Sequence, residues 1–550
     1  MPYESCTTKF SLPEIPAEEM TPTVRALLAI IEGLNSKVGR LEQQLSTLQA
    51  EVTFLKRHPR KPKFKGSNLD KAVDRAGRRD DEEPPASGRR AGSDKRSTLA
   101  ETPVHETRIV SLAFEQGWAF AGYRDFLVRD IKVEAFNTLV RRQVWRKPDG
   151  TYVAAALPAE YGGQHFGPGV RALVPHLHHQ CQVTHPLLRE ALREWGVDVS
   201  AGQVNALLTH GMQDFSAEKL AVLVAGLKSS TAITVDDTSA RHKGVNGYVT
   251  NVSSPAFAWF ESTPSKSRLS FLKLLGAAVE GYRINDAALR YMASHGLSPQ
   301  LVAQLRGLYG ATTDLALFDK LLDRAGVLGQ DNRRTVTEGA VWGALQAALY
   351  SELAVVSDGA SQFDVGQHGT CWVHAERLLH QLIPGSDAQR AELDVVRDEV
   401  WALYGWLKAY QRAPEPGLAR TLQDWFDELF TRQTTFPALN EQLGRLHERK
   451  DKLLLVLRRP DAPLHTNQSE NDIRCYVIKR KVSGGTRSDL GRTCRDTFTS
   501  LKKTCRKLEV SFWHYLVDRI GGLGEVMPLG ELVKSRADEL AQLRPVALAY

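Results

Sequence analysis

Two aspartates that each follow a short β-branched segment constrain the fold of this chain more than any other feature. Asp236 follows TAITV, and Asp358 follows LAVVS. Apolar, β-branched runs of this length are typical of buried strands. Taken singly, an acid after a strand is more often a turn or helix-cap residue. Two of them predict a mixed α/β sheet with acids at its strand ends.

A third acid, Glu470, opens a cationic stretch that reads LHTNQSENDIRCYVIKRKVSGGTR. Only Asp472 opposes the cations that follow it, which are Arg474, Lys479, Arg480, Lys481 and Arg487. A carboxylate can bind a hard metal ion, and neighbouring cations can bind phosphate oxygens. This is the local chemistry of an enzyme that cuts a nucleic-acid backbone, so we interpret Asp236, Asp358 and Glu470 as parts of one site.

Composition sets the class of protein. The 550 residues are 42% apolar, which is enough for several globular domains. A net charge of +7 is mild for this length, so clusters of cations are better evidence for nucleic acid than the total charge.

Six cysteines without a CxxC pair predict free thiols in a reducing compartment. We find no signal peptide pattern and no apolar run of membrane length, so we expect a cytosolic protein.

The N-terminal part has two segments of opposite character. Apolar residues alternate in steps of four and three over residues 22–57, which predicts a coiled coil and a homo-oligomer; a single helix docked on the protein's own core is the alternative. Residues 58–106 are rich in proline, glycine and both charges, and we interpret them as a disordered linker.

The next two segments carry the clearest local signals. Residues 107–165 contain the alternating segment FLVRDIKVEAF and an Asp149-Gly150 turn, and are predicted to form a small β-rich module. Residues 166–228 read as helices, with Gly196 ending one and Ser200 capping the next. They suggest a helix-turn-helix-like DNA-binding region, although two ordinary packed helices would have the same pattern. The nearby histidines match no usual zinc spacing.

The remaining chain alternates between a sheet core and helical insertions. This fold class is multidomain α+β, with the catalytic core interrupted twice. The predicted boundaries are core at 229–284, helical insertion at 285–351, core at 352–386, helical insertion at 387–462, core at 463–522 and a C-terminal tail at 523–550.

With these motifs in view, the chain resembles the DDE transposases of the insertion-sequence 66 family. VDDT at Asp236 resembles that family's ADET motif, SDG at Asp358 its TDG motif, and TNQSENDIR at Glu470 its DNNxxERxxR motif. CWVHAER resembles the family's CWAHARR segment, and IKRKVSGGTRS its GRKNWLFAGS stretch. The chain departs from the pattern at Asn471, where an arginine is usual, and in having no cysteine between Trp118 and Pro158, so no zinc site is expected.

The resemblance implies a ribonuclease-H-like core in which Asp236, Asp358 and Glu470 bind two Mg²⁺ or Mn²⁺ ions. It implies a transposase that cleaves transposon ends and joins them to target DNA. Its partners would be double-stranded DNA, further copies of the chain and possible accessory transposition proteins. We assign DNA contacts to His374, Arg377, Arg474, Lys479, Lys481 and Arg487. A catalytically silent DNA-binding remnant and a nuclease without strand transfer are the alternatives.

Overall fold

The computed structural model divides the chain into two compact units, residues 1–111 and residues 112–550. It describes residues 21–24, 31, 38, 103–113, 121–158, 164–279, 281–310, 312–313, 315–348 and 353–542. In the first unit, residues 22–24, 31 and 38 are helical. The rest of the predicted coiled coil and most of the predicted linker lie outside the described residues.

The second unit begins with much less β structure than the sequence predicts. A hairpin of β1 (Val144–Arg146) and β2 (Tyr152–Ala154) forms around the expected turn, where Gly150 has φ +86° and its N–H donates to the Lys147 carbonyl at 3.0 Å. The strand predicted in FLVRDIKVEAF is absent. Phe126 and Phe136 there are 89% and 93% exposed. The prediction of a β-rich module is therefore wrong here, because alternating residues stabilise a strand only against a second apolar surface.

A group of short helices follows. They are α1 (Pro168–Pro175), a π-helical turn (His176–Gln180), α2 (His185–Glu194) and α3 (Ala201–Thr209). Gly196 adopts φ +86° after α2, and Ser200 and Gln203 form the predicted capping box of α3. The three α-helices share a core that includes Val174, Leu188 and Val204. The long helix α4 (Gln213–Ser229) then leads into the sheet.

The sheet has five strands, which lie side by side in the order Ala258–Thr263, Val245–Ser253, Ala232–His242, Ala354–Ser357 and Gln367–Thr370. Its first three strands are β3 (Ala232–His242), β4 (Val245–Ser253) and β5 (Ala258–Thr263), which are antiparallel and consecutive in the chain. Helix α5 (Arg268–Leu275) follows them. Ile233 and Val235 of β3 are fully buried in the main core, as the TAITV pattern predicts.

The first insertion forms a subdomain with its own core, which includes Leu289, Met292 and Phe318. Its elements are β6 (Tyr282–Arg283), α6 (Asp286–Ser294), α7 (Pro299–Arg306), β7 (Thr312–Thr313), α8 (Leu315–Arg324) and α9 (Gln330–Ala348). The chain then returns to the sheet with β8 (Ala354–Ser357) and β9 (Gln367–Thr370), which are parallel to β3.

The remaining elements are helical. Helix α10 (Trp372–His380) leads into the second insertion, whose main helices are α11 (Asp387–Arg412), α12 (Pro416–Phe430) and α13 (Pro437–His447), followed by the single turns α14 (Lys450–Leu453) and α15 (Leu455–Arg458). The chain ends with α16 (Asn467–Ser483), α17 (Asp489–Lys507), α18 (Phe512–Gly521) and α19 (Leu529–Gln542). No helix in the described ranges is long and apolar enough to cross a membrane.

Candidate active site

The register of two parallel strands brings Asp236 and Asp358 together. Thr234 of β3 pairs with Val356 of β8, and each aspartate lies two residues beyond its member of that pair. Neighbouring strands are about 4.8 Å apart, and residues two apart share a face. The two carboxylates therefore leave the sheet at the same level and on the same side.

Glu470 reaches this position from the first turn of α16. Ile473 and Tyr476 of α16 pack against Val249 and Phe260 of the sheet, which fixes the helix across one face. The segment before α16 is tied to the start of α10, because the Trp372 N–H donates to the Leu464 carbonyl at 3.0 Å. These contacts bring the third acid close to Asp236. Asp236 lies within β3 and not at its end as predicted, because the strand continues to His242 through its pairing with β4.

The electrostatics of Asp236 show that the three acids interact. Burial, as the largest cause, and the charges of Asp358 and Glu470 together raise the pKa of Asp236 to about 7. The N–H of Asp237, which donates to Asp236 Oδ1 at 2.8 Å, opposes this shift. Within the described part of the chain, no group of three His, Cys, Asp or Glu side chains is placed to hold a metal ion. The three carboxylates therefore lie close enough to repel one another, but in the described structure they are not arranged as the ligands of one metal ion.

His374 of α10 borders the acid cluster. Its Nε2 lies 3.7 Å from Oε1 of Glu470, and its Nδ1 is buried without a hydrogen-bond partner. Burial lowers the pKa of His374, an effect that Glu470 and Asp358 oppose and Arg377 reinforces. The imidazole is therefore neutral near pH 7. Arg377, one turn further along α10, is half-buried and within electrostatic reach of His374.

Asp237 faces away from the cluster although it is adjacent to Asp236. Its side chain is 6% exposed and contacts the ammonium of Lys266, while Gln362 Nε2 donates to its Oδ2 at 2.8 Å. Alternation along a strand explains this, since Asp237 shares the face of the buried Val235. No pattern in the sequence indicated that Lys266 and Gln362 would contact Asp237.

The predicted DNA-binding cations separate into exposed and buried groups. Arg474 and Lys481 are exposed on α16, and Arg487 is exposed after it. Lys479 is 3% exposed, and its Nζ donates to the His178 carbonyl at 2.8 Å. Burial lowers the pKa of Lys479 to about 7, with Arg495 and Lys502 adding to the shift. The prediction for Lys479 is corrected, because its ammonium is used inside the protein.

Arg480 is not among the residues predicted to contact DNA. In the structure its side chain joins α16 to β3. Its Nη1 donates to Ser239 Oγ at 2.6 Å and to Thr238 Oγ1 at 3.3 Å. Its place among five cations was the only signal in the sequence, and that signal did not distinguish a bond to the sheet from a bond to phosphate. Arg480 thus helps to hold the helix of Glu470 over the strand of Asp236.

The Gly484-Gly485 turn, which follows α16, packs closely against the backbone of β3. A Cβ atom on Gly485 would lie 2.4 Å from the Arg241 carbonyl oxygen. Beside it, the Thr486 N–H donates to that carbonyl at 3.0 Å, and the Lys243 N–H donates to the Thr486 carbonyl at 2.8 Å. The turn therefore extends the end of β3.

The histidines before α2 are packed rather than arranged around a metal. His179 stacks on Phe498 with ring centroids 4.5 Å apart, and its carbonyl accepts a bond from Lys502 Nζ at 2.5 Å. Burial lowers the pKa of His178 to about 3, with Lys479 adding to the shift. The helical region 166–228 is thus joined to α16 and α17 by two buried lysines, Lys479 and Lys502, which donate to carbonyls of the π-helical turn.

Comparison with known proteins identifies the family. Residues 350–493 match the family model described as "Transposase IS66 family", a span that includes Asp358, His374 and Glu470. A protein of Sinorhizobium fredii, described as "Uncharacterized protein y4jO", is 45% identical over 321 residues, which are 58% of this chain and all of that protein. The chain belongs to the insertion-sequence 66 transposase family.

Proposed function

We propose that this protein is an active DDE-type transposase that cleaves phosphodiester bonds at transposon ends and transfers the freed strand into target DNA. The observation that carries the proposal is that the fold brings Asp236, Asp358 and Glu470 close enough to interact: burial first, and then the charges of the other two acids, raise the pKa of Asp236 to about 7. Acidic groups with a perturbed pKa that lie close together are typical of functional sites, because their mutual repulsion contributes nothing to stability.

The architecture supports a ribonuclease-H-like core. Three antiparallel strands are followed by two parallel ones in a single sheet, with α16 packed on one face. The first insertion lies between the strands of Asp236 and Asp358, and the second lies between Asp358 and the helix of Glu470. Both leave the sheet and return to it, so the three carboxylates remain close together. Family membership of residues 350–493 is consistent with this assignment.

The donor set fits Mg²⁺ or Mn²⁺. Carboxylate oxygens are the ligands these hard ions prefer, and a dication would relieve the repulsion at Asp236. Asp236, Asp358 and Glu470 would hold two such ions, although their side chains would have to close further to form the shell. Bound in pairs, divalent ions stabilise both the attacking and the leaving oxygen of an in-line phosphoryl displacement.

Other residues would bind and orient the DNA. Arg474, Lys481 and Arg487 lie exposed on and after the helix of Glu470, where guanidinium and ammonium groups can bind phosphates. His374 would supply an uncharged imidazole beside Glu470, and Arg377 a cation next to it, for contact with the DNA end. None of these groups needs to form a covalent intermediate.

The outer parts of the chain would serve recognition and assembly. We assign DNA binding to the helices between residues 166 and 228 and homo-oligomer formation to the segment 22–57. Accessory transposition proteins would be additional partners. A protein with this role would act on DNA in the bacterial cytosol.

Cleavage of a natural end tests the proposal. Full-length protein would be incubated with Mg²⁺ or Mn²⁺ and labelled DNA carrying the inverted repeats that flank its own gene. Asp358→Ala should abolish metal-dependent nicking at the repeat ends while leaving DNA binding intact. Asp424→Ala, which removes an exposed carboxylate from α12, is the matched control.

The other outcomes distinguish the alternatives. Binding without cleavage, equal in wild type and Asp358→Ala, would indicate a DNA-binding remnant. Nicking without joined product in the presence of target DNA would indicate a nuclease that lacks strand transfer.

A further inference from the structure

The side chain of Asp237 does not face the acid cluster, but it is bonded to residues that lie beside the cluster. Its buried carboxylate has a different partner on each oxygen: the Lys266 ammonium on Oδ1 and Gln362 Nε2 on Oδ2. A buried carboxylate is stable only when it is paired in this way. The side chain of Lys266 is 45% exposed, and its Nζ lies 5.1 Å from the centre of the Tyr248 ring. Lys266 thus neutralises Asp237 from the side facing solvent.

Gln362 connects Asp237 to the turn that carries Asp358. This residue lies in the 3₁₀ turn Ser361–Phe363. The turn directly follows Ala360, whose backbone N–H donates to Asp358 Oδ1 at 2.9 Å. The turn is also held by Arg268, whose Nη2 donates to the Ser361 carbonyl at 3.1 Å. The position of the Asp358 carboxylate therefore depends on the placement of this turn.

The backbone of Asp237, in contrast to its side chain, contacts Asp236. The backbone N–H of Asp237 donates to Asp236 Oδ1 at 2.8 Å, which fixes one oxygen of the first acid. A single residue thus bonds to the first acid through its backbone and to the turn of the second acid through its side chain.

We propose that Asp237 is a positioning residue that sets the separation of the Asp236 and Asp358 carboxylates through its bond to Gln362, so that the pair can bind divalent metal. This inference rests on the proposed function, because it assigns a role within the same site. It also gives the second aspartate of the VDDT motif a task other than binding metal. Partners of this kind, which hold the ligands without touching the metal, commonly contribute about 10–100-fold to metal affinity.

Metal titration tests the inference without relying on cleavage. Full-length protein would be titrated with Mn²⁺ by calorimetry in five forms: wild type, Asp236→Ala, Asp237→Ala, Gln362→Ala and the Asp237→Ala/Gln362→Ala double variant. Gln304→Ala, on the exposed side of α7, is the matched control for removing a glutamine amide. Thermal unfolding of each variant would show that the fold is kept.

We expect Asp236→Ala to lose Mn²⁺ binding and Gln304→Ala to bind as wild type. Asp237→Ala and Gln362→Ala should each bind about 10-fold more weakly, and the double variant no more weakly than the weaker single variant, because both changes break one link. In cleavage assays the same variants should lower kcat with little change in KM for DNA.

Three results would overturn the inference. If Asp237→Ala abolishes binding and Gln362→Ala leaves it unchanged, Asp237 is itself a metal ligand. If both single variants bind as wild type, Asp237 has no positioning role, while the proposed function stands. If wild-type protein does not bind Mn²⁺, the proposed function fails and the inference fails with it.

Discussion

His374 and Glu470, which lie far apart in the sequence, meet at the edge of the acid cluster with 3.7 Å between Nε2 and Oε1. The contact joins α10 to α16, and the buried Nδ1 of His374 has no hydrogen-bond partner. An unsatisfied buried nitrogen costs about 1–3 kcal/mol, so any group that bonds to this Nδ1 would strengthen the contact.

Removing the imidazole should impair cleavage more than folding. We expect His374→Ala to lower the rate of metal-dependent cleavage by about 10–100-fold, because Glu470 loses the group that borders it. Single-turnover cleavage and DNA binding would be measured in parallel. His380→Ala changes an exposed histidine on the same helix and should leave the rate unchanged. Equal rates for His374→Ala and wild type would exclude a role in the reaction.

The two adjacent aspartates should affect stability in opposite directions. Burial and the neighbouring acids raise the pKa of Asp236 from 3.8 to about 7. The folded protein therefore holds a proton that the unfolded chain releases, and this contribution to stability is lost as the pH rises from about 4 to about 7. Without divalent metal near pH 8, Asp236→Asn should stabilise the protein by about 1–3 kcal/mol, and the gain should shrink towards pH 4.

Chemical unfolding at several pH values would measure this effect. Asp237→Asn should destabilise the protein near pH 8 instead, because it removes the partner of Lys266. Adding Mg²⁺ should stabilise wild type but not Asp236→Asn. A loss of stability for Asp236→Asn at every pH would contradict the repulsion inferred here.

The exposed cations of the cationic stretch should differ from the buried one in how salt affects DNA binding. Each of Arg474→Ala, Lys481→Ala and Arg487→Ala should reduce the slope of log affinity against log salt by about 1, because one phosphate contact is lost. Lys479→Met should leave the slope unchanged and lower the free energy of unfolding, since its ammonium bonds the His178 carbonyl. A reduced slope for Lys479→Met would mean that this lysine leaves its buried position on DNA.

Gly485 should not tolerate a side chain. A Cβ atom there would lie 2.4 Å from the Arg241 carbonyl oxygen, so Gly485→Ala should displace the turn from β3 and destabilise the protein by about 1–3 kcal/mol. Gly405→Ala, within α11, has no atom within 4 Å of the added methyl group and should be neutral or stabilising by up to about 1 kcal/mol. Equal unfolding free energies for the two variants would contradict this account.

Local signals in the sequence predicted local structure well. The TAITV and LAVVS strands, the capping box at Ser200 and the Asp149-Gly150 turn all depend on neighbouring residues, and each is present. The strand expected in FLVRDIKVEAF depends on a distant apolar surface and is absent. Periodicity alone does not show whether such a surface exists.

The candidate site shows the same division. The order and spacing of the motifs indicated which three acids belong to one site. They did not indicate which of the cations are exposed. Lys479 is buried by a π-helical turn some three hundred positions earlier in the chain. Likewise, the bond from Gln362 to Asp237 arises from the pairing of β3 with β8, which one sequence does not specify.

The acid cluster draws its members from three segments separated by two long helical insertions. Synthesis proceeds from the N-terminus, so the strand of Asp236 and the turn of Asp358 leave the ribosome well before the helix of Glu470. A chain interrupted before residue 470 therefore lacks one of the three acids. On the proposed function, such an unfinished chain would not cut DNA.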